Sequence, residues 1–450
     1  SGHSEICTAC IPLEVLGGSS RDYRKFSCAL CSEFETIRET IGPILDYCHQ
    51  RWHMNALRIE SRYEQFVQFL GQYRHLLKDV VRADISVLEY PSTAFRYETS
   101  ANFVLPMENL QRLHLFYEAS SFCSLSIRAP KLEFLTVERY LYQNNVRLTI
   151  PDSAKLRSVL IRGKDSSQCS SGVDPIELES ILPQTRKTTR VEIWRCSIAT
   201  TYKAMFGYLQ TIILRSVTLT PTDNFLECLH LRRLELQTIM LQKPLKLRVP
   251  KLLTLICDSE SLQSLRLKDA FKADLLETDW RSARIESSPV GLSSFRRLHL
   301  MLWSTERRED DISIGWFWPY LGGITELKVR SKSGNRYFHG IKKIWKHLPQ
   351  LNSLQLLGME VPDDFKSLPA NVQNVSIKDC SIQGSKIAFP STVERVRVEK
   401  LWKRTENASD VGVVLLPPNR YPPLKCEIIQ VEHNYETVSR TIYSTKGCSD

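Results

Sequence analysis

No run of 18 apolar residues occurs anywhere in the 450-residue chain, so no segment reads as a membrane-spanning helix. No tract is dominated by one residue type, and 18 Gly and 21 Pro are ordinary for this length, which excludes collagen-like and low-complexity structure. The signatures GxSxG, GxxxxGKS/T, HExxH and GxGxxG are all missing, and the ten histidines are scattered. The expectation is a protein that is not an enzyme and needs no cofactor. The first residues, SGHSEI, carry no basic segment followed by an apolar core. Thirteen cysteines, an odd number spread over the chain, have neither the density nor the parity of a disulfide-stapled scaffold. That favours a reducing compartment, cytoplasmic and/or nuclear. The 60 basic and 50 acidic residues leave a formal charge of only +10, so the position of the charge matters more than its sum.

What the chain has is a returning phrase. LQRLHL at 110–115, LRRLEL at 231–236, LQSLRL at 262–267, FRRLHL at 295–300, ITELKV at 324–329, LNSLQL at 351–356, VQNVSI at 372–377 and VERVRV at 393–398 share one form: apolar, two variable, apolar, one variable, apolar. Weaker copies begin at 132, 156, 188 and 209, and spacings run from 21 to 33 residues. Alternation within each phrase puts Leu298 and Leu300 on one face and Arg297 and His299 on the other. A strand this short cannot bury its apolar side alone and must stack on the next copy, so the repeat predicts a solenoid. The longer spacings leave room for outer helices. YFHGIKKIWKHL at 337–348 reads as one, and a stripe of Phe66, Phe69, Leu70 and Tyr73 as another, between strands at 56–60 and around Val80 to Ile85.

In two places the phrase extends to nine residues ending in cysteine, TTRVEIWRC at 188–196 and VQNVSIKDC at 372–380. These resemble the cysteine-type repeats of leucine-rich proteins of the F-box class, and Cys196 and Cys380 read as small buried side chains. The resemblance implies an α/β leucine-rich repeat solenoid, a horseshoe of roughly 12–14 irregular repeats with a small helical N-terminal module. It divides the chain into a helical F-box-like module at 1–52, the solenoid at 53–414 and a C-terminal cap at 415–450, where KCEIIQVE at 425–432 could close the sheet. Ile11, Pro12, Leu13, Glu14, Val15 and Leu16 resemble the opening of an F-box, and Asp22, Tyr23, Phe26, Leu30, Cys31 and Phe34 its close, with only GGSS at 17–20 between the halves.

The same N-terminal stretch holds two CxxC pairs, Cys7 with Cys10 and Cys28 with Cys31, whose spacing fits a tetrahedral zinc site. A packed helical module with free thiols is preferred, because Phe26, Leu30, Phe34 and Ile37 already form an amphipathic stripe through the second pair; a disulfide-bonded cap is the third reading. No metal is expected.

The variable positions of the phrases are richer in basic than acidic side chains, more so than the chain as a whole. A basic concave wall is therefore expected, densest at Arg232, Arg233, Arg266, Arg296 and Arg297. The candidate binding residues are Arg190, Trp194, Arg215, Arg232, Arg233, Arg266, Lys268, Arg296, Arg297, His299, Lys328 and Arg330. Arginine makes forked contacts with carboxylates and phosphates, so the expected partner is an acidic or phosphorylated protein client. Nucleic acid is an unlikely partner, and no membrane is expected. The family resemblance adds a Skp1-like adaptor and a role as substrate receptor of an SCF-type ubiquitin ligase. The rival is a secreted or cell-surface leucine-rich recognition protein, motivated by the clustered N-terminal cysteines and glycosylation triplets at Asn374 and Asn407.

Overall fold

The structure, a computed structural model, describes residues 56–62, 74–88, 101–117, 123–140, 146–150, 155–163, 188–199, 208–220, 224–241, 243–270, 273–280, 295–302, 322–331, 345, 347–361, 365, 368–382, 386–390, 392–403, 414–416, 425–433 and 436–438. The expected 1–52 module with both CxxC pairs lies outside the described residues, as do the stripe at 66–73, Asn407 and most of the expected helix at 337–348. The chain divides into two compact units, residues 1–231 with 238–243, and residues 232–237 with 244–450.

In the first unit, β1 (Ala56–Arg62), β2 (Arg82–Leu88), β4 (Arg112–Tyr117), β6 (Phe134–Tyr140), β8 (Ser158–Gly163), β9 (Arg190–Trp194) and β11 (Thr211–Arg215) pair in that order, all parallel. The chain returns between them through further strands. β3 (Ala101–Pro106), β5 (Cys123–Arg128) and β7 (Val146–Thr149) make one return sheet; β10 (Ser197–Ala199), β12 (Thr218–Thr220) and β15 (Met240–Leu241) make another. β13 (Leu226–Glu227) is a two-residue strand.

In the second unit the long sheet runs β14 (Arg233–Gln237), β17 (Thr254–Cys257), β19 (Leu275–Trp280), β20 (Arg297–Leu302), β21 (Glu326–Ser331), β22 (Ser353–Leu357), β24 (Asn374–Ile382), β26 (Arg395–Lys403) and β28 (Lys425–His433), again all parallel. β29 (Glu436–Val438) folds back antiparallel on β28. Return strands pair as β16 (Leu245–Arg248) with β18 (Leu265–Lys268), β25 (Lys386–Ala388) with β27 (Val414–Leu416), and β23 (Glu360–Val361) with the far half of β24.

This is a mostly parallel β-solenoid, and it overturns the α/β leucine-rich horseshoe and the F-box resemblance. Among the described residues the helices are a 3-10 turn at Arg74–Asp79, the five-residue α1 (Ser259–Gln263) capped by Asp258, two 3-10 positions at Gly322 and Gly323, and one helical position at Trp345. The physical reason lies in the return path. A covering helix needs apolar residues at a period near 3.6, but the return segments alternate with period 2. Leu125 and Ile127 are buried around half-exposed Ser126, Leu245 and Leu247 around Lys246, and Leu265 and Leu267 around Arg266. Those segments are strands, and they close the coils whose return path lies among the described residues.

The phrase itself marks buried columns. Leu110, Leu113 and Leu115 are buried, as are Leu132, Leu135 and Val137, then Leu351, Leu354 and Leu356, while the variable residues between them face outward. Each fully buried Leu or Val contributes roughly 1.5–3 kcal/mol over an exposed one, so the stacked columns carry the fold. The coil starts differ in one region from the expected ones. LLTLIC at 252–257 and ADLLET at 273–278 lie on the long sheet as β17 and β19, whereas LQSLRL at 262–267 ends in β18 on a return sheet. With starts at 231, 252, 273 and 295 the irregular spacings of 31 and 33 become 21, 21 and 22.

Two turns repeat at the corners. Before the long strand, Leu132 N–H donates to Ala129 O, Leu252 N–H to Val249 O and Leu351 N–H to Leu348 O, closing the tetrapeptides APKL, VPKL and LPQL, with Pro at the position where a fixed φ suits a tight turn. After it, the eighth residue of the phrase adopts a left-handed conformation: Arg195, Ser216, Thr238, Asp379 and Gly358 have φ between 49° and 63°. The ninth residue then points inward; Cys196, Val217, Ile239, Met359 and Cys380 are all buried. Cys196 and Cys380 each donate a thiol hydrogen to the carbonyl two residues before, both at 3.1 Å.

Candidate binding faces on the long sheets

Parallel register sorts the outward side chains of the first unit into rows that cross the strands. One row holds Asp84, His114, Thr136, Leu160 and Glu192 and ends at Ile213, which is buried; the next holds Ser86, Phe116, Glu138, Arg162, Trp194 and Arg215. These neighbours bond to each other. His114 Nδ1 lies 3.1 Å from Asp84 and its Nε2 3.8 Å from Glu138, and Arg162 Nη1 donates to Glu138 at 2.8 Å. The hydrogen bond to Asp84 raises the His114 pKa above the usual imidazole value; burial opposes the shift, and the Asp84 and Glu138 charges add to it. Beyond Arg162 the row becomes a stack, with the Arg162 guanidinium 4.3 Å and the Arg215 guanidinium 4.7 Å from the Trp194 ring.

The second unit carries a different surface. Over β14, β17 and β19 the outward positions are Arg233, Thr254, Ile256, Leu275, Glu277 and Asp279, with Glu235 in the same rows but buried. Arg233 donates to Glu235 at 3.1 Å, and a hydrogen bond from His299 holds the Glu277 pKa below the usual carboxylate range. Over β20 to β26 the rows read Arg297, Glu326, Ser353, Asn374 and Arg395; His299, Lys328, Gln355, Ser376 and Arg397; and Met301, Arg330, Leu357, Lys378 and Glu399. Glu399 accepts from Lys378 at 2.6 Å, and Glu326 accepts from Gln355 at 3.5 Å. No salt bridge within the described residues engages Lys328, Arg330, Arg395 or Arg397. With strands about 4.8 Å apart, the Lys328/Arg330 and Arg395/Arg397 pairs are separated by roughly 14 Å, with Lys378 between them.

The structure disperses the cluster on which the sequence reading centred. Arg232 and Arg296 sit at corners, where their carbonyls each accept two N–H groups from the next coil, rather than on the sheet face. Arg266 and Lys268 belong to β18 on a return sheet, and Arg266 donates to the Leu265 carbonyl. Arg233 and Arg297 share the long sheet but are separated by β17 and β19, and Arg297 is held by Asp274 at 2.6 Å. Arg190 pairs with Glu192 at 2.9 Å. His299, Lys328 and Arg330 do come together, and the sequence reading left Lys378, Arg395 and Arg397 out of the candidate set although VERVRV announces the last two. The turn VPKL, a near copy of APKL, is the signal that would have placed the coil start at 252.

Reactive chemistry finds little support among the described residues. Burial pushes the Cys228 thiol up to about 12 and Cys380 to about 11, and raises Cys257 well above the usual value, so these thiols stay protonated. No group of three or more His, Cys, Asp or Glu among the described residues could hold a metal, and no helix there is long and apolar enough to cross a membrane. Asn374 of the glycosylation triplet spends its amide on Asn352 at 3.1 Å, one rung of a side-chain ladder that Asn352 continues to Gln373. No protein-family model matches the chain, and no curated protein matches it significantly. The β-solenoid removes the architecture on which the SCF substrate-receptor reading and its leucine-rich receptor rival both rested.

Proposed function

We propose that the chain is a non-catalytic binding protein that holds an acidic or phosphorylated protein segment against the outer face of β20 to β26. The observation that carries the reading is the charge of that face: Arg297, Lys328, Arg330, Lys378, Arg395 and Arg397 against Glu326 and Glu399, on adjoining strands. A fully extended acidic segment places alternate side chains about 6.8 Å apart, so five or six residues lying across the strands reach from Lys328 to Arg397. Ser353, Gln355, Asn374 and Ser376 between the cations supply neutral hydrogen-bonding groups for its backbone.

The test is a titration of the full chain with a fluorescently labelled decaglutamate peptide at two salt concentrations. Affinity should fall with salt, and the Lys328→Glu/Arg397→Glu variant should bind at least ten-fold more weakly, because like charges then face each other. Arg233→Glu, on the acidic strands of the same sheet, should change affinity little. Equal binding by the double variant, or tighter binding of an oligothymidylate than of decaglutamate, would remove the acidic-protein reading.

A further inference from the structure

The stack of Arg162, Trp194 and Arg215 on the first unit contains two donors without acceptors. Trp194 Nε1 and Arg162 Nε are both buried, and neither has a hydrogen-bond partner. They belong to planes that face each other, since the Arg162 guanidinium lies 4.3 Å from the Trp194 ring. Buried N–H groups nearly always find an acceptor, and leaving one unmade forfeits its hydration without return, at a greater cost where the group is charged. Two such donors in one stack, on the outward face of a sheet, mark a place where an oxygen atom belongs.

The position is accessible from solvent. Arg162 is 38% exposed, so the two N–H groups lie beneath a side chain that solvent reaches. Glu138 holds Arg162 Nη1 at 2.8 Å, which fixes the guanidinium edge nearest β6 and leaves Nε for another acceptor. The charges on the row decide the class of ligand. Arg162 and Arg215 bring two positive charges, Glu138 brings one negative, and Arg190 with Glu192 on the same strand as Trp194 cancel. Two arginines flanking the indole suit an anion, and the Glu138 carboxylate one strand from Arg162 favours a monoanion over a phosphate dianion.

We propose that this stack is a carboxylate-binding site, in which one carboxylate of a partner accepts hydrogen bonds from Trp194 Nε1 and Arg162 Nε. The site is independent of the basic face on the other unit, since it uses different residues and different strands. It takes a single carboxylate, where the basic face takes several charges at once.

The indole proton reports the site directly. In the full chain labelled with 15N, the Trp194 indole signal is identified by its loss in Trp194→Phe, a change that keeps an aromatic ring between the two arginines. Titration with N-acetylglutamate should shift that signal downfield and saturate. Arg162→Gln should weaken the response at least ten-fold, as expected for a lost charge-assisted bond. Inorganic phosphate should move the signal less than N-acetylglutamate does. An indole signal that stays fixed, that follows sodium chloride equally, or that responds more strongly to phosphate would overturn the proposal.

Discussion

The two units use the same coil and place their aromatic stacks on opposite sides of the wall. In the second unit Trp345, Phe365 and Phe389 stack inside, with centroids 6.0 and 5.2 Å apart, at corresponding places in three successive coils, and all are buried. In the first unit Trp194 stacks outside, between two arginines. The difference separates two kinds of freedom in the repeat. Inward positions are filled by whatever apolar volume the coil needs, and a long coil accepts an aromatic ladder. Outward positions are free of the core and accumulate chemistry: side-to-side bonding from Asp84 to Arg215 in one unit, and in the other cations on β21 and β26 that no salt bridge among the described residues engages.

The contrast predicts unequal costs. Phe365→Ala empties the middle of a closed ladder and should destabilise the second unit by about 3–5 kcal/mol in a denaturant titration. Trp194→Ala removes two cation–π contacts at the surface and should cost only about 1–2 kcal/mol. If the two losses were equal, the outer stack would be part of the core.

The corners allow a smaller test. Gly358 has a φ of +63°, and an added Cβ would sit 3.1 Å from the Ser331 carbonyl oxygen, so Gly358→Ala should cost about 1–2 kcal/mol. Thr238 occupies the same corner at a φ of 55° with a β-branched side chain, and Thr238→Gly should raise the unfolding midpoint by the equivalent of about 1 kcal/mol. Opposite signs from one structural position would show that the left-handed turn, rather than the residue, is what the coil requires.

The smallest expected effect is a pH dependence of opposite sense in the two units. The raised His114 pKa means that its contribution is complete below the ordinary imidazole value and is lost as pH rises through the raised one. The lowered Glu277 pKa means that its contribution is present above the ordinary carboxylate value and is lost as pH falls through the lowered one. Each pair is partly exposed and should be worth less than about 1 kcal/mol. Thermal midpoints should therefore favour the parent over His114→Gln at pH 5.5 and not at pH 8.5. They should favour it over Glu277→Gln at pH 7 and lose that advantage in acid. The same pH sense for both variants would refute the assignment of these pairs.

The buried columns were legible because period-2 alternation with a third apolar position survives every substitution of the variable residues. Leu298 and Leu300 face inward as the phrase requires, and Cys196 and Cys380 are buried where it ends. The phrase does not carry the class of solenoid, which is decided by the segments between its copies. PLKLRVP and CSLSIRAP alternate as plainly as the phrase does, and such segments return as strands. Placing the cations failed for a related reason. LQSLRL matches the phrase, but its first two residues are the end of α1 and no proline turn precedes it, and a misplacement of ten residues carries Arg266 to another sheet. Side-by-side neighbours depend on which coils stack, and a local pattern does not contain that information.

A parallel ladder ends in a strand whose free edge is a template for one more copy, and a protein built of near-identical coils offers that template to every other molecule of its kind. At β28 the last three residues of that edge are already taken. Val431, Glu432 and His433 pair with Val438, Thr437 and Glu436, which run in the opposite sense. A parallel strand arriving from a neighbouring molecule meets reversed polarity there in place of the register that every earlier coil presents. Three backward residues thus deny this stretch of the edge to a further parallel coil.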